Sequence, residues 1–188
     1  WAPGGMGSSN DMVHCAGGNR RKKEMTMEDK MVHIEKLKGY GCFACGTANP
    51  IGLNMEFYRN GDAVCSEITL SKQYEGWENM AHGGIVSTLL DEIMSWTVMY
   101  FKRSFLVTRK MDIKYIKPVP IETPLIVSGK LGRQVQEPKI EVSGQIRNRA
   151  GNLLVRSKGE FVMVPEDKLS TVSGALKEDI LRLFKNFG

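Results

Sequence analysis

His82-Gly83-Gly84, followed seven residues past the second glycine by Asp91 and then Glu92, is the constellation in this chain best suited to chemistry. Two glycines ahead of an apolar run leave a helix start bare, where backbone N–H groups are unpaired and the dipole is positive. Such a terminus can polarise a carbonyl and hold the negative charge that develops on it. A carboxylate about two turns further on can activate a water or attack as a nucleophile. One helix cannot offer both groups to one atom, because the eight residues from Gly83 to Asp91 span about 12 Å of rise. Two copies of the helix running antiparallel can.

Each residue also has a plainer reading. Asp91 could sit on the polar side of the helix and be satisfied by Ser87 or Ser95 one turn away. Gly83 and Gly84 could serve close packing of the helix start against a strand. His82 is better placed to orient the loop by hydrogen bonds than to act on a substrate. Glu92 points about 100° away from Asp91, so only one of the two can face a given pocket. The Asp91 and Gly83 pairing is the one that supports a reaction.

The element that must position these groups runs from Asn79 to Phe101. Ile85, Val86, Leu89, Leu90, Ile93, Met94 and Trp96 cover a broad arc at 100° per residue, and Ser87, Thr88, Asp91, Glu92 and Ser95 share the narrower polar side. A helix this apolar is surrounded by protein or crosses a membrane. Two carboxylates in its middle and too few uninterrupted apolar residues exclude crossing. It is expected to be a central helix held by something concave.

The flanking patterns supply that partner. Leu53, Met55 and Phe57 alternate with polar residues, Asn60-Gly61-Asp62 is a hairpin signal, and Val64, Ser66, Ile68 and Leu70 continue the period of two. Ser71 to Glu78 reads as a loop into the helix. Beyond the helix, Phe105, Val107, Met111, Ile113 and Tyr115 share one parity, which turns Thr108 away from the core. Strands follow around Leu125 to Leu131, Ile140 to Ile146 and Leu153 to Met163, the last entered by the turn Ala150-Gly151-Asn152. Regular alternation of this kind predicts an antiparallel sheet with one wet face. The fold class is therefore α+β, a curved antiparallel sheet of about six strands wrapped around a long central helix.

At the ends, residues 1–25 lack periodicity and are expected to be a disordered leader or an appended remnant. Thr26 to Asp29 has capping-box spacing, and Met27, Met31, Ile34 and Leu37 predict a short helix ending at Gly39. The main domain is assigned to residues 26–168. Residues 169–188 read as an amphipathic helix capped by Ser173, with Leu176, Ile180, Leu183, Phe184 and Phe187 on one stripe.

Composition sets further bounds. With 188 residues and 41% hydrophobic content, the chain can bury one real core. The net charge of +5 suits an anionic partner, although Arg20 to Lys23 place part of it in the leader. Arg109, Lys110, Lys114, Lys117 and Arg133 lie on or beside predicted strands and could meet phosphates. The strands carry no aromatic ladder on the basic face, so nucleic acid is not an expected partner. Four cysteines are too few and too unevenly placed for a disulfide scaffold. Cys42-Phe-Ala-Cys45 is a single CxxC; a structural zinc needs two more ligands, and only His33 and Cys15 offer themselves. It is taken as a tight structural turn, and Cys65 as a packing residue. The start resembles no signal peptide, and a cytoplasmic location is expected.

The order of elements, with His-Gly-Gly opening the central helix, resembles the hotdog-fold acyl-CoA thioesterases, in particular the PaaI-like phenylacetate-pathway type. The resemblance runs from about Cys42 to Val164 and is carried by CFACGTANPIGL, YEGWENMAHGGIVSTLLDE, TRKMDIKYIKPVP and RAGNLLVRSKGEF. It implies hydrolysis of an acyl-CoA thioester to free acid and coenzyme A in a pocket between two subunits. Gly83 N–H would polarise the carbonyl, and Asp91 of the other subunit would be general base or nucleophile. His82, Thr108, Glu92 and Asn79 complete the candidate catalytic set. Gly84, Arg109, Lys110 and Lys117 would contact the substrate. Better-studied members carry an Asn six residues before the His, where this chain has Gly76, and Asn79 lies closer to the helix. The resemblance also implies a homodimer or a dimer of dimers, with no cofactor, no metal and no membrane partner. The alternative is a hotdog protein that binds acyl-CoA without turning it over.

Overall fold

In the computed structural model the described residues are 31–187, without the side chains of residues 133–136. One long helix, α1 (Gly83–Lys102), lies across a seven-stranded antiparallel sheet. The strands are β1 (Val32–Ile34), β2 (Phe57–Asn60), β3 (Ala63–Thr69), β6 (Leu106–Tyr115), β7 (Pro124–Gln136), β8 (Lys139–Asn148) and β9 (Leu153–Met163), in the order β1-β2-β3-β7-β8-β9-β6. A small hairpin, β4 (Glu75–Trp77) and β5 (Met80–Ala81), precedes the helix, and α2 (Gly174–Asn186) follows the sheet. This is the hotdog arrangement, an α+β fold with the sheet packed around its central helix.

The helix is held closely because the sheet beneath it lacks side chains at two crossing points. Gly129 on β7 and Gly144 on β8 are paired across the ladder. A Cβ on Gly129 would overlap Thr97 Oγ1 and come within 2.9 Å of the Ile93 carbonyl. A Cβ on Gly144 would press on Leu90 and Met94 at 3.1 and 3.2 Å. Around this contact Leu89, Leu90, Ile93, Met94 and Val98 of the helix are fully buried, with Val127, Ile140, Ile146, Val155 and Phe161 of the sheet.

Three sequence expectations are corrected. The helix expected from Met27 to Leu37 is absent from its described part: Val32–Ile34 is a strand that pairs with Phe57 to Arg59. Ile34 there is 2% exposed, and one buried apolar residue on an edge strand satisfies the segment better than a helix with nothing to cover it. Thr26 to Asp29 and the expected leader, residues 1–25, lie outside the described residues. Second, this extra strand makes the sheet seven-stranded rather than about six. Third, the segment Ser71 to Glu78 is not simply a loop: Lys72–Tyr74 forms a 3-10 turn and Glu75–Trp77 pairs with Met80–Ala81.

The hairpin at Gly61 (φ 59°) and the turn at Gly151 (φ 83°) fall where the sequence puts them. Ser173 Oγ accepts the Leu176 N–H at 3.3 Å and caps α2, whose Leu183 and Phe184 are buried. Phe187 stacks obliquely on Tyr100 and Trp96, so α2 covers the C-terminal end of α1. Arg103 reinforces the seam by donating to the Phe187 carbonyl at 2.6 Å.

Replacing Gly129 with Ala should cost about 1–3 kcal/mol, since the methyl must displace Thr97 or the helix backbone. Gly174→Ala, where a Cβ meets nothing within 4 Å, should change stability by less than about 0.5 kcal/mol. Thermal unfolding of the two variants beside the parent checks the pair; equal melting temperatures would mean that the helix is not seated on these glycines.

Candidate active site

The start of α1 is built from the hairpin before it. Ala81 N–H donates to the Val119 carbonyl at 2.9 Å and His82 N–H to the Tyr74 carbonyl at 2.9 Å, which fixes the entry of the chain. His82 is the N-cap: its Nδ1 accepts the Gly84 N–H at 3.0 Å. The ring therefore holds the helix start, and the Gly84 amide is spent on it. Gly83 N–H, one residue earlier, has no partner among the described residues. Gly83 itself is exposed, so the bare donor faces outward at the positive end of a 20-residue helix.

Gly83 is anchored by its other side. Its carbonyl accepts from Ser87 Oγ at 2.9 Å and from Tyr115 Oη at 3.0 Å, and those two hydroxyls lie 2.9 Å apart. Ser87 is thereby occupied and is not the partner of Asp91. Asn79 adopts φ 61° in the tight turn between β4 and β5, with its N–H donating to Glu75 Oε1 at 2.6 Å. Gly76 packs against His82 so closely that a Cβ would lie 2.9 Å from the His82 Cα. The Asn that the resemblance leads one to expect at Gly76 does not fit this backbone.

Asp91 accepts a hydrogen bond from Thr108 Oγ1 at 2.7 Å within one chain. This overturns the expectation that Thr108 turns away from the helix. A β-bulge between Thr108 and Lys110 inserts Arg109 as an extra residue. Before the bulge Thr108 pairs with Phe161, which is fully buried, and so shares its helix-facing side. After it Met111, Ile113 and Tyr115 take up that side, while Val107 is 50% exposed on the other. Strict alternation cannot reveal an inserted residue.

Glu92 goes elsewhere. It turns toward the loop of residues 39–55, where Trp96 Nε1 donates to its Oε1 at 2.9 Å and the Cys42 sulfur lies 4.0 Å from both oxygens. Burial pushes the Glu92 carboxyl up to about 7. The Cys42 thiol is drawn down to about 5, chiefly by a hydrogen bond from Cys45, while that same bond and burial push Cys45 up. The two adjacent carboxylates thus have separate neighbourhoods: Asp91 with β6, Glu92 with two thiols.

The basic candidates are spread along β6 and beyond. Arg109 pairs with Glu160 at 2.8 Å and Lys110 with Asp112 at 3.0 Å, both at the surface. Lys117 is exposed just past the strand, with its N–H donating to the Leu154 carbonyl. The side chain of Arg133 lies outside the described residues. Sequence reasoning missed Tyr115 as the residue that holds the Gly83 peptide, because its parity placed it in the core.

A profile described as the thioesterase superfamily matches residues 78–152, the stretch that contains α1 and β6. Among solved structures, a thioesterase superfamily protein aligns at 28% identity and a TM-score of 0.61, over 65% of this chain and 60% of its own. The chain therefore spans less than two thirds of that protein. A hypothetical thioesterase from Streptococcus pneumoniae, crystallised with coenzyme A, aligns at 20% identity and 0.51, over 55% of this chain and 82% of its own. The PaaI protein of E. coli aligns at 14% identity and 0.54, over 60% and 81%. At those identities the last two speak for the fold. There is no significant match among curated proteins.

Because His82 acts as a cap, His82→Asn should keep helix stability, since Asn caps well. His82→Ala should cost about 0.5–2 kcal/mol. Melting temperatures separate the two; an Asn variant as unstable as the Ala variant would remove the capping role.

Proposed function

We propose that the protein hydrolyses acyl-CoA thioesters in a site completed by a second copy of the chain. One observation carries this reading: the same helix presents an unpartnered N–H at its start and, about 12 Å away by rise, a carboxylate already oriented by a threonine. Neither half can reach the other within one chain, and a thioester needs both. The superfamily profile that covers α1 and β6, and the coenzyme A in a related fold, support the substrate class.

A second copy also suits the surface. Among the described residues β6 ends the sheet, so its outer backbone row is open to a partner edge. Val107, Tyr115 and Ile116 are 50%, 51% and 42% exposed along it. Two protomers meeting there, helices antiparallel, bring Gly83 of one toward Asp91 of the other. A homodimer is the smallest assembly that works, and a dimer of dimers repeats it.

The steps then follow from the groups present. Thr108 donates to Asp91 Oδ1 and leaves Oδ2 to take a proton from water. The water oxygen attacks the thioester carbon, and the carbonyl oxygen gains charge against the Gly83 N–H of the partner. Collapse expels the coenzyme A sulfur, which receives the proton from Asp91. His82 holds the helix start in place, and Tyr115 with Ser87 holds the Gly83 peptide from behind. Arg109 and Lys110 are engaged only in exposed ion pairs, which cost little to exchange for phosphate, and Lys117 adds a third basic group. No helix among the described residues is long and apolar enough to cross a membrane. The PaaI-type assignment and the cytoplasmic setting belong to the same reading.

Asp91→Ala should lower kcat by about a hundredfold to ten-thousandfold while leaving acyl-CoA binding and dimerisation in place. Gly83→Pro is the clean partner variant. Proline is favoured at the first helical position, His82 before it is already extended (φ −60°, ψ 136°), and a Cβ there meets only the Tyr115 hydroxyl at 3.7 Å. It removes the N–H alone and should cost about a hundredfold to a thousandfold in kcat. Thiol release from a panel of acyl-CoAs measures both. Mixing the two dead chains should restore activity in heterodimers. Binding without release in the parent would make it a non-catalytic acyl-CoA protein, and full activity in Asp91→Ala with loss in Glu92→Ala would move the chemistry to the neighbour.

A further inference from the structure

We propose that Cys42, Cys45 and Glu92 form a binding site for a soft divalent cation of the zinc class. Their ligand atoms lie within 4.8 Å of one another, the one such group among the described residues. The sequence offered only two ligands from the CxxC and so led to a structural turn without metal. The third ligand comes from α1, 50 residues further along the chain. The nominal candidate His33 is engaged elsewhere, with Nε2 3.4 Å from Glu56, and Cys15 lies outside the described residues.

The backbone around the thiols has the form that a metal thiolate needs. Gly46 closes the turn by donating to the Cys42 carbonyl at 2.9 Å. A Cβ on Gly46 would overlap the Tyr40 carbonyl and come within 2.5 Å of Cys42 N and O, so the turn excludes other residues there. The loop is fixed from outside as well, by Leu53 N–H to the Phe43 carbonyl at 2.8 Å and Met55 N–H to the Ala44 carbonyl at 2.9 Å.

Glu92 completes the set. Its carboxylate faces both sulfurs, and Trp96 Nε1 holds it from behind at 2.9 Å, as an outer partner holds a metal-binding carboxylate. Zn–S near 2.3 Å and Zn–O near 2.0 Å imply sulfur–oxygen separations of about 3.5 Å. The 4.0 Å from Cys42 to either oxygen therefore needs a contraction of about half an ångström. Two thiolates and one carboxylate favour zinc over magnesium or calcium, which take oxygen alone. Cys42 is half-buried and Cys45 buried, and three protein ligands would leave a tetrahedral ion its fourth position for water.

The test uses the full chain, reduced and stripped with a chelator. Titration with Co(II) should produce thiolate-to-cobalt charge-transfer absorption and tetrahedral visible bands that saturate at one ion per chain, and Zn(II) should bleach them. Cys42→Ser and Cys45→Ser should each abolish the charge-transfer bands. Trp96→Phe should weaken Zn(II) binding about tenfold with both thiols intact. If a serine variant does not fold, the parent still decides: Zn(II), and not Mg(II), should protect two thiols per chain from a thiol reagent. Cobalt bands without charge transfer, or thiols that react equally fast with and without Zn(II), would overturn the site. So would ready closure of a Cys42–Cys45 disulfide by a small disulfide in protein that binds no Zn(II), which would make the pair a redox dithiol instead.

Discussion

The close seating of α1 on a side-chain-free strip of the sheet decides most of what this molecule can do. With Gly129 and Gly144 beneath Ile93, Thr97, Leu90 and Met94, the helix cannot rotate without driving its own backbone into the ladder. That contact fixes the phase of every other residue on the helix. Asp91 faces β6, Glu92 faces the CxxC loop, and Gly83 emerges beyond the packed region beside Tyr115. A buried interface of this density has few alternative packings, so the phase is set to within a fraction of a turn.

The edge strand β6 meets that helix at two points. It carries Thr108 to Asp91 and Tyr115 to the Gly83 carbonyl, so the two ends of the helix stripe that matter are both tied to one strand. The bulge at Arg109 makes this possible by shifting parity between them. Without it, Thr108 and Tyr115 would face opposite sides, and only one of them could touch the helix. Bulges of this kind at sheet edges re-aim side chains, and β6 is an edge strand among the described residues.

The contrast between what could and could not be read beforehand follows physical lines. The helix, the Ser173 cap and the hairpin at Gly61 depend on local periodicity and on residues that permit special backbone, and these are written within a few positions of one another. The four strands after the helix have long, regular alternation. By contrast, Val32 to Ile34 carries a helical spacing whose outcome depends on whether Phe57 to Arg59 offers a pairing edge. The bulge, the role of Tyr115 and the approach of Glu92 to Cys42 all depend on partners far along the chain, where a single residue of register changes the answer. Asp91 and Gly83 were visible as types and spacing. Thr108 entered the candidate set through the resemblance, while its side of the sheet was misread.

The adjacent carboxylates show how one helix can place two like groups in different surroundings. Asp91 is half-exposed and held by a hydroxyl, the arrangement that the proposed general base calls for. Glu92 is half-buried, and its carboxyl rises to about 7 because burial penalises the charge more than the Cys45 and Trp96 hydrogen bonds relieve it. A cation beside such a carboxyl would offset the cost of its partial burial directly. A cation there would also tie the 39–55 loop to the middle of α1 and reinforce the helix phase that aims Asp91. The division of roles comes from the 100° between consecutive residues on a helix, which sends one carboxylate to the open edge and the other inward.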